Sequence, residues 1–293
     1  MRAEEATMSD EQPTAIEAYA STSGQLMTEA SWLDAHFETC RPEYREMLRS
    51  VGIQPGWHVL DAGCGGGSFL PLISELVGPA GRIAALDLAS DNIATVEQRV
   101  VAWGMPTPVD ARVGSVLALP YADDTFDAVW CAATSQYLTG TELATTLAEF
   151  RRVVRPGGLV TVKDVDGTAI GFVPAPTLII AHLFEAMAER GNDQFAGCMR
   201  VQSLAQWLRR TGLGAVWQRT TLVERSAPLR AVERRYIGDG LSYFASIALP
   251  CDLPAIDHAA WESLTDTTGR NRLFDDPGFS WREGHVTAVG IVP

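Results

Sequence analysis

The stretch "VLDAGCGGGSF", residues 59–69, is an apolar run that ends on an acid, Asp61, and breaks at once into a glycine turn. Pro71 falls in the first turn of the helical pattern that follows, where its missing N–H costs little, so the stretch reads as strand, turn and helix. A glycine turn between a strand and a helix offers backbone N–H groups to a ligand with only hydrogen in the way, as nucleotide-type sites require. The dinucleotide-binding spacing needs its third glycine at position 68, which is Ser68; the glycines present are Gly63, Gly65, Gly66 and Gly67. Asp61 puts a carboxylate beside the turn, which suits a cationic ammonium or sulfonium far better than a pyrophosphate.

Outward from the turn, short apolar runs alternate with longer amphipathic stretches, the pattern of βα units in a parallel sheet. Residues 57–61, 82–87, 111–114, 126–131 and 158–164 read as five strands. Helices fill the gaps, with Ser90 as the N-cap of the second, and the clearest, "TELATTLAEFRRVV", is closed by "RPGG". Beyond the fifth strand the pattern changes. Helical stretches at 173–211 and 229–265 precede strands at 215–223 and at the C-terminal "HVTAVGIVP", so helical inserts are expected at about 167–211 and 225–282. Residues 1–54 read as a helical cap rather than a domain, its second helix starting at Pro42 and burying Met47, Leu48 and Val51.

Composition narrows the functions. The chain of 293 residues is 46% hydrophobic, enough for a full core. With 23 basic against 36 acidic residues, net charge −13, it would repel a polyanion, which excludes nucleic acid as a partner. Cys40, Cys64, Cys131, Cys198 and Cys251 are scattered without C-x-x-C spacing, arguing against a disulfide framework and a zinc site. The cluster Asp123, Asp124 and Asp127 reads as a solvated loop, and no metal is expected. The opening residues show no signal-peptide pattern and no stretch is long enough to span a membrane, so a cytoplasmic protein is expected.

Asp87 ends the second strand about twenty residues past the turn, where a carboxylate accepts both hydroxyls of a ribose. Together, "VLDAGCGGGSF", "ALDLASDNI", "GSVLALPYADDTFDAVW" and "EFRRVVRPGGLV" resemble the successive motifs of class I S-adenosylmethionine-dependent methyltransferases, nearest to the ubiquinone and menaquinone branch. The resemblance covers roughly residues 55–166 and the last strand. It implies an α/β, Rossmann-like fold: a seven-stranded, mostly parallel sheet with an antiparallel last strand and helices on both faces, occupying 55–293. It also implies S-adenosyl-L-methionine as cofactor. Asp61, Gly63, Cys64 and Gly65 would face its methionine half, Asp87 and Leu88 the ribose, and Ser115 and Val116 the adenine, the family most often having Asp where Ser115 stands. Ala132, Ala133 and Tyr137, from "CAATSQYL", would lie over the transferring methyl; the absence of an N/D-P-P-Y element there favours a small-molecule acceptor.

Aromatic residues concentrate in the cap and inserts, which points to a lipophilic acceptor contacted by Tyr19, Trp32, Phe172, Tyr236 and Tyr243; with the resemblance, the expectation is a natural-product or quinone-like acceptor, with C- or O-methylation favoured over N-. Methyl transfer needs alignment and desolvation and does not demand a base; His182, His285 and Asp166 are the candidates if there is one. Asp164 and Asp166 read as following the fifth strand and His285 as beginning the last, both on the ligand side. A cap packed on a neighbouring subunit is also open. Two further readings are a homologue that binds the cofactor without transferring methyl, such as a cyclase, and a nicotinamide-dependent dehydrogenase.

Overall fold

The computed structural model describes residues 30–293, so Tyr19 and the cap before residue 30 lie outside them. The five runs form β1 (His58–Ala62), β2 (Arg82–Asp87), β3 (Val109–Val113), β4 (Phe126–Ala132) and β5 (Val154–Val173). With β6 (Gly214–Ser226) and β7 (Ser280–Ile291) they make one sheet of order β3-β2-β1-β4-β5-β7-β6. β1 to β5 pair in parallel, and β7 is antiparallel to both its neighbours. β1 and β4 are buried along nearly their whole length because helices cover both faces. The chain runs from β1 outward to β3 and then crosses back to place β4 on the other side of β1. That reversal opens a crevice at the carboxyl ends of β1 and β4, where open α/β sheets bind ligands.

One face carries α1 (Ala30–Val51), α2 (Leu70–Val77) and α3 (Ser90–Trp103), whose Tyr44, Leu48, Ile73 and Val96 pack on Val59, Trp130 and Val289 of the sheet. The other carries α4 (Gly140–Val153) and α7 (Leu204–Arg210), whose Leu147, Phe150 and Leu208 pack on Leu60, Val129 and Val160. The inserts contribute α5 (Ile179–Glu189), α6 (Asp193–Arg200), α8 (Ala231–Ala248), α9 (Ala255–Ser263) and α10 (Thr267–Asp275). They close over a core of their own in which Leu183, Leu241, Trp261 and Phe279 meet Phe172 and Trp281 from the extended ends of β5 and β7.

Four boundaries differ from those read in the sequence. α1 runs unbroken through Pro42 instead of starting a new helix there. The burial of Cys40, Tyr44, Met47, Leu48 and Val51 along one stripe outweighs the missing hydrogen bond. Ser90 is the first residue of α3, not its cap; Ala89 holds the cap position without a side-chain bond. β5 does not stop before Asp164 and Asp166 but continues to Val173, with a register shift between Asp166 and Gly171. β7 begins at Ser280, so His285 sits inside the strand opposite Val165 and Thr221. The antiparallel ladder carries both strands through polar residues that periodicity alone assigns to loops. Gly284 lets the irregular stretch of β5 cross it, since a Cβ there would lie 2.6 Å from that of Ala169.

The loop after β4 is fixed at its far end by a capping box: Thr139 Oγ1 accepts from the Glu142 N–H at 3.3 Å and Glu142 Oε2 accepts from the Thr139 N–H at 2.8 Å. Thr139→Ala removes the first bond and should cost about 1 kcal/mol, lowering Tm by about 2–4 °C. Urea denaturation checks this, the midpoint falling while the slope stays constant.

Candidate functional site

The crevice is built from three strand ends. At the end of β1, Asp61 is only 2% exposed and its Oδ2 is buried with no hydrogen-bond partner. Burial, and then the facing Asp87, push its carboxyl up to about 8. The turn behind it is pinned by the N–H groups of Gly63 and Cys64, which both donate to the Leu86 carbonyl at 2.8 and 3.0 Å. Gly63 has φ 73°, and a Cβ there would fall 2.3 Å from Thr134 Oγ1, so only glycine lets β1 and the β4 loop approach this closely. At Gly65, φ 52°, a Cβ would meet nothing within 4 Å; the turn is open at that point. Gly67 is a packing position instead, abutting Leu70 and Val96. The Cys64 thiol is buried and pushed up by that burial, which leaves it inert as a nucleophile.

At the end of β2, Asp87 accepts from Gly65 N–H at 2.8 Å, Ala89 N–H at 2.9 Å and Asn92 Nδ2 at 3.0 Å. Three donors hold the carboxylate in one orientation and leave it acceptor capacity to spare. Leu88 beside it is 44% exposed. The Gly114 N–H donates to the Asp87 carbonyl at 2.9 Å, which brings Ser115 and Val116 alongside. Ser115 Oγ accepts from the Leu117 N–H at 3.1 Å, a local turn bond that competes for the acceptor expected to face an adenine. At the end of β4, Ala132 is buried, Ala133 has φ 54°, and Thr134 Oγ1 donates to the carbonyls of Gly63 and Ala132 at 3.3 and 3.2 Å. Tyr137 follows in a single 3-10 turn, Ser135–Tyr137, held by Asp164, which accepts from Ser135 Oγ at 2.7 Å and Gln136 N–H at 2.9 Å. The cofactor-binding set read from the sequence therefore gathers around one crevice.

The candidate bases and acceptor contacts scatter. His285 is fully buried, hydrogen-bonded through Nε2 to Glu283 Oε1 at 3.0 Å, and pushed down to about 3 by burial and by Lys163; it does not open on the ligand side. Asp166 accepts from the Thr168 N–H at 3.0 Å and Thr168 Oγ1 at 2.7 Å, and so closes its own turn. His182 on α5 has its Nδ1 2.5 Å from Asp257 Oδ2 on α9, with the imidazole about a third exposed. Phe172 belongs to the insert core, not to a pocket wall. Trp32 donates from Nε1 to the Tyr236 carbonyl at 3.0 Å, Tyr236 bonds its own hydroxyl to Glu283, and Tyr243 stands half-exposed beside Phe244. Two surface depressions, of about 310 Å³ beside Glu46 and Arg219 and about 630 Å³ beside Asp123 and Arg210, border none of these strand ends.

Sequence reading missed the braces. Arg99 on α3 donates to the Gly66 carbonyl at 3.1 Å and to Asp34 on α1 at 2.6 Å, and Phe37 of α1 packs edge-on against Phe69 at 5.1 Å. α1 thus lies against the glycine turn. Nothing in spacing announces Thr134 or Arg99, since both act across elements far apart in the chain.

Residues 59–158 match a family model described as a methyltransferase domain. The chain is 33% identical over 141 residues to an uncharacterized 37.1 kDa protein in transposon TN4556 of Streptomyces fradiae, covering 47% of this chain and 39% of that one. It is 30% identical over 129 residues to the demethylmenaquinone methyltransferase of Geobacillus stearothermophilus, covering 44% and 54%. The chain spans about half the length of the curated relatives it matches. Its fold is that of the YcgJ protein of Bacillus subtilis (TM-score 0.53, 14% identity, 86% of this chain and 98% of that one). Phosphoethanolamine N-methyltransferase 2 of Haemonchus contortus, solved with phosphomonomethylethanolamine and S-adenosylhomocysteine, is similar too (TM-score 0.53, 15% identity, 89% and 57%). Motifs, matched model and sheet order agree on one assignment: residues 59–158 are a methyltransferase domain of the class I, S-adenosylmethionine-dependent kind.

Proposed function

We propose that the chain is a methyltransferase that binds S-adenosyl-L-methionine across the ends of β1, β2 and β4 and methylates a small, lipophilic acceptor at carbon or oxygen. One observation carries the reading: a buried carboxylate oxygen of Asp61 lacks a partner beside a glycine turn with open space at Gly65. A cationic group is the partner that a buried carboxylate needs, and a sulfonium nucleoside with an amino-acid tail has two. The residues fit the cofactor, which when bound supplies an electrophilic methyl on a positive sulfur.

The chain's part is to bind, orient and dry the site. Asp61, Gly63 and Gly65 hold the methionine half, Asp87 takes the ribose hydroxyls on its remaining acceptor positions, and Leu88, Ser115 and Val116 flank the base. Ala132, Ala133 and Tyr137 line the methyl end. Tyr137 is pushed up by burial and by its neighbours Cys198, Asp164 and Tyr243, so it stays a neutral phenol at physiological pH and can only donate or accept a hydrogen bond. The first insert reaches this end through Cys198 of α6, whose Sγ donates to Gln136 Oε1 at 3.0 Å. This is the support for an acceptor pocket walled in part by the first insert. Of the three bases read from the sequence, His182 alone keeps an exposed edge on an imidazole oriented by a carboxylate. Alignment can supply roughly 7–11 kcal/mol without a base, and a base would add about 10²–10⁴-fold. The test is incubation with methyl-labelled cofactor and a panel of phenols and quinols: a labelled lipophilic product with stoichiometric S-adenosylhomocysteine supports the reading. Cofactor binding without S-adenosylhomocysteine would leave a non-transferring homologue.

Asp87→Ala removes the ribose acceptor and, at about 1–3 kcal/mol, should weaken cofactor binding about tenfold or more in a protein that still folds. Isothermal calorimetry reads this directly. The pH dependence follows from Asp61. Its carboxyl stands at about 8 in the free protein, so it is largely protonated near neutrality, whereas a bound cation favours the carboxylate. Binding must then release a proton, and affinity should rise by up to about tenfold per pH unit between about pH 6 and 7.5. Asp61→Asn should flatten that slope and abolish the buffer-dependent proton release seen by calorimetry.

A further inference from the structure

Outside the crevice, two segments 243 residues apart bring four metal-ligating side chains together. His36 and Cys40 stand four residues apart on α1 and therefore on one helix face; Glu283 and His285 stand two apart on β7 and therefore on one face of the sheet. α1 lies over that face, and one donor atom from each of the four residues falls within 4.8 Å of all the others. Glu283 Oε1 is the hub: Cys40 Sγ is 2.9 Å away, His285 Nε2 3.0 Å and His36 Nε2 3.7 Å.

We propose that His36, Cys40, Glu283 and His285 form a zinc site that staples α1 to the sheet. One further observation points the same way: no Lys or Arg among the described residues lies within ion-pair distance of the buried Glu283 carboxylate. The buried Lys163 is engaged instead with Tyr44, donating to its hydroxyl at 3.1 Å. Glu283 is held for the task by Trp281 Nε1, which donates to Oε2 at 3.3 Å, and by the Tyr236 hydroxyl. A tetrahedron built on zinc bonds to nitrogen, oxygen and sulfur has edges of about 3.3–3.7 Å, so the present hub separations need shifts of well under an ångström to about half an ångström.

Binding is balanced without any other reactant. Zn²⁺ displaces the Cys40 thiol proton to solvent, the sulfur and two neutral imidazoles donate lone pairs from Nε2, and Glu283 gives one oxygen; the hydrogen bonds of Cys40 and His285 to Glu283 and of His36 to the Tyr44 hydroxyl are lost, each imidazole carrying its proton on Nδ1. Thiolate and carboxylate together cancel the ion's charge, and the sulfur and nitrogen donors select zinc over magnesium or calcium. Four protein ligands leave no open position, which makes the site structural; His36, with 13% of its side chain exposed, marks the entry path. The absence of C-x-x-C spacing pointed away from zinc because each half of the site is a two-residue pattern, ordinary alone.

The experiment uses the whole chain, stripped with a chelator and titrated with zinc at neutral pH against a chromophoric competitor, then with cobalt as a spectroscopic probe. One equivalent of zinc, a raised Tm and a near-ultraviolet thiolate-to-cobalt absorption are expected. Cys40→Ser should abolish that absorption and weaken zinc binding at least a hundredfold, while Cys198→Ser keeps both. No stoichiometric zinc uptake by the wild-type chain, a cobalt spectrum without a thiolate band, or a Cys198→Ser loss equal to that of Cys40→Ser would overturn the site. The wild-type titration decides the matter even where Cys40→Ser does not fold.

Discussion

At the end of β1 a carboxylate is taken out of water with one oxygen left unpaired, and the arrangement of the crevice follows from it. Leaving a buried polar atom without a partner costs about 1–3 kcal/mol, and a facing acid, Asp87, adds to the cost of ionising it. The sheet tolerates this because β1 is locked in register between β2 and β4, from His58 opposite Arg82 to Asp61 opposite both Ala85 and Trp130. A rigid element can hold a group in a position that it would not choose. The unmet interaction is then available to a cation that arrives with its own desolvation already partly spent, and no reorganisation of β1 is required to receive it.

α1 transmits that rigidity sideways. Near its start Asp34 reaches Arg99 and through it the Gly66 carbonyl; Phe37, one turn on, and Tyr44, nearly three turns on, pack on Phe69, which itself packs on Trp130. Glu43 pairs with Arg225 of β6 at 2.8 Å, and Trp32, in the first turn, bonds the Tyr236 carbonyl of α8. One helix therefore touches the glycine turn, the last strands and the second insert. α8 and the glycine turn are thus packed against the same helix, which couples their positions.

The local part of this architecture was legible in the sequence. Asp61, the glycine turn and Asp87 are separated by a strand's length and a helix's length, and each is readable because its role is set by the backbone within a few residues. The strands β1, β2 and β4 were legible for the same reason: buried on both faces, they are nearly unbroken apolar runs. What was not legible lies where contacts are remote. Pro42 looks like a helix start because only the packing of Cys40, Tyr44 and Met47 on the sheet shows why the helix continues through it. Phe172 and Tyr236 look like pocket residues because an aromatic carries no mark distinguishing an insert core from a pocket wall. The Arg99 brace joins residues from α1, the turn and α3, and no window of sequence contains all three.

The far halves of β5 and β7 illustrate the same limit with more at stake. Period-two alternation sends Lys163 to the face beneath α1 and Asp164 to the opposite face, so one strand feeds polar groups into both sides of the sheet. Lys163 meets Tyr44; Asp164 grips Ser135 and Gln136 and so sets Tyr137; Asp166 ties Thr168, and Gln202 reaches it at 3.3 Å. Read linearly, "VKDVDG" is a charged stretch after a strand. In the sheet it is the interior of one, and burying those charges gains little stability in itself. What the burial does is fix loops: the Asp164 carboxylate anchors the turn after β4 from one side while Arg200 donates to its Ser135 and Leu138 carbonyls at 2.9 and 2.6 Å. The strand that looks least like a strand in sequence is thus the one that holds the turn after β4 in place, because it takes side chains of high hydrogen-bonding capacity, placed alternately on two faces, to position elements on both sides at once.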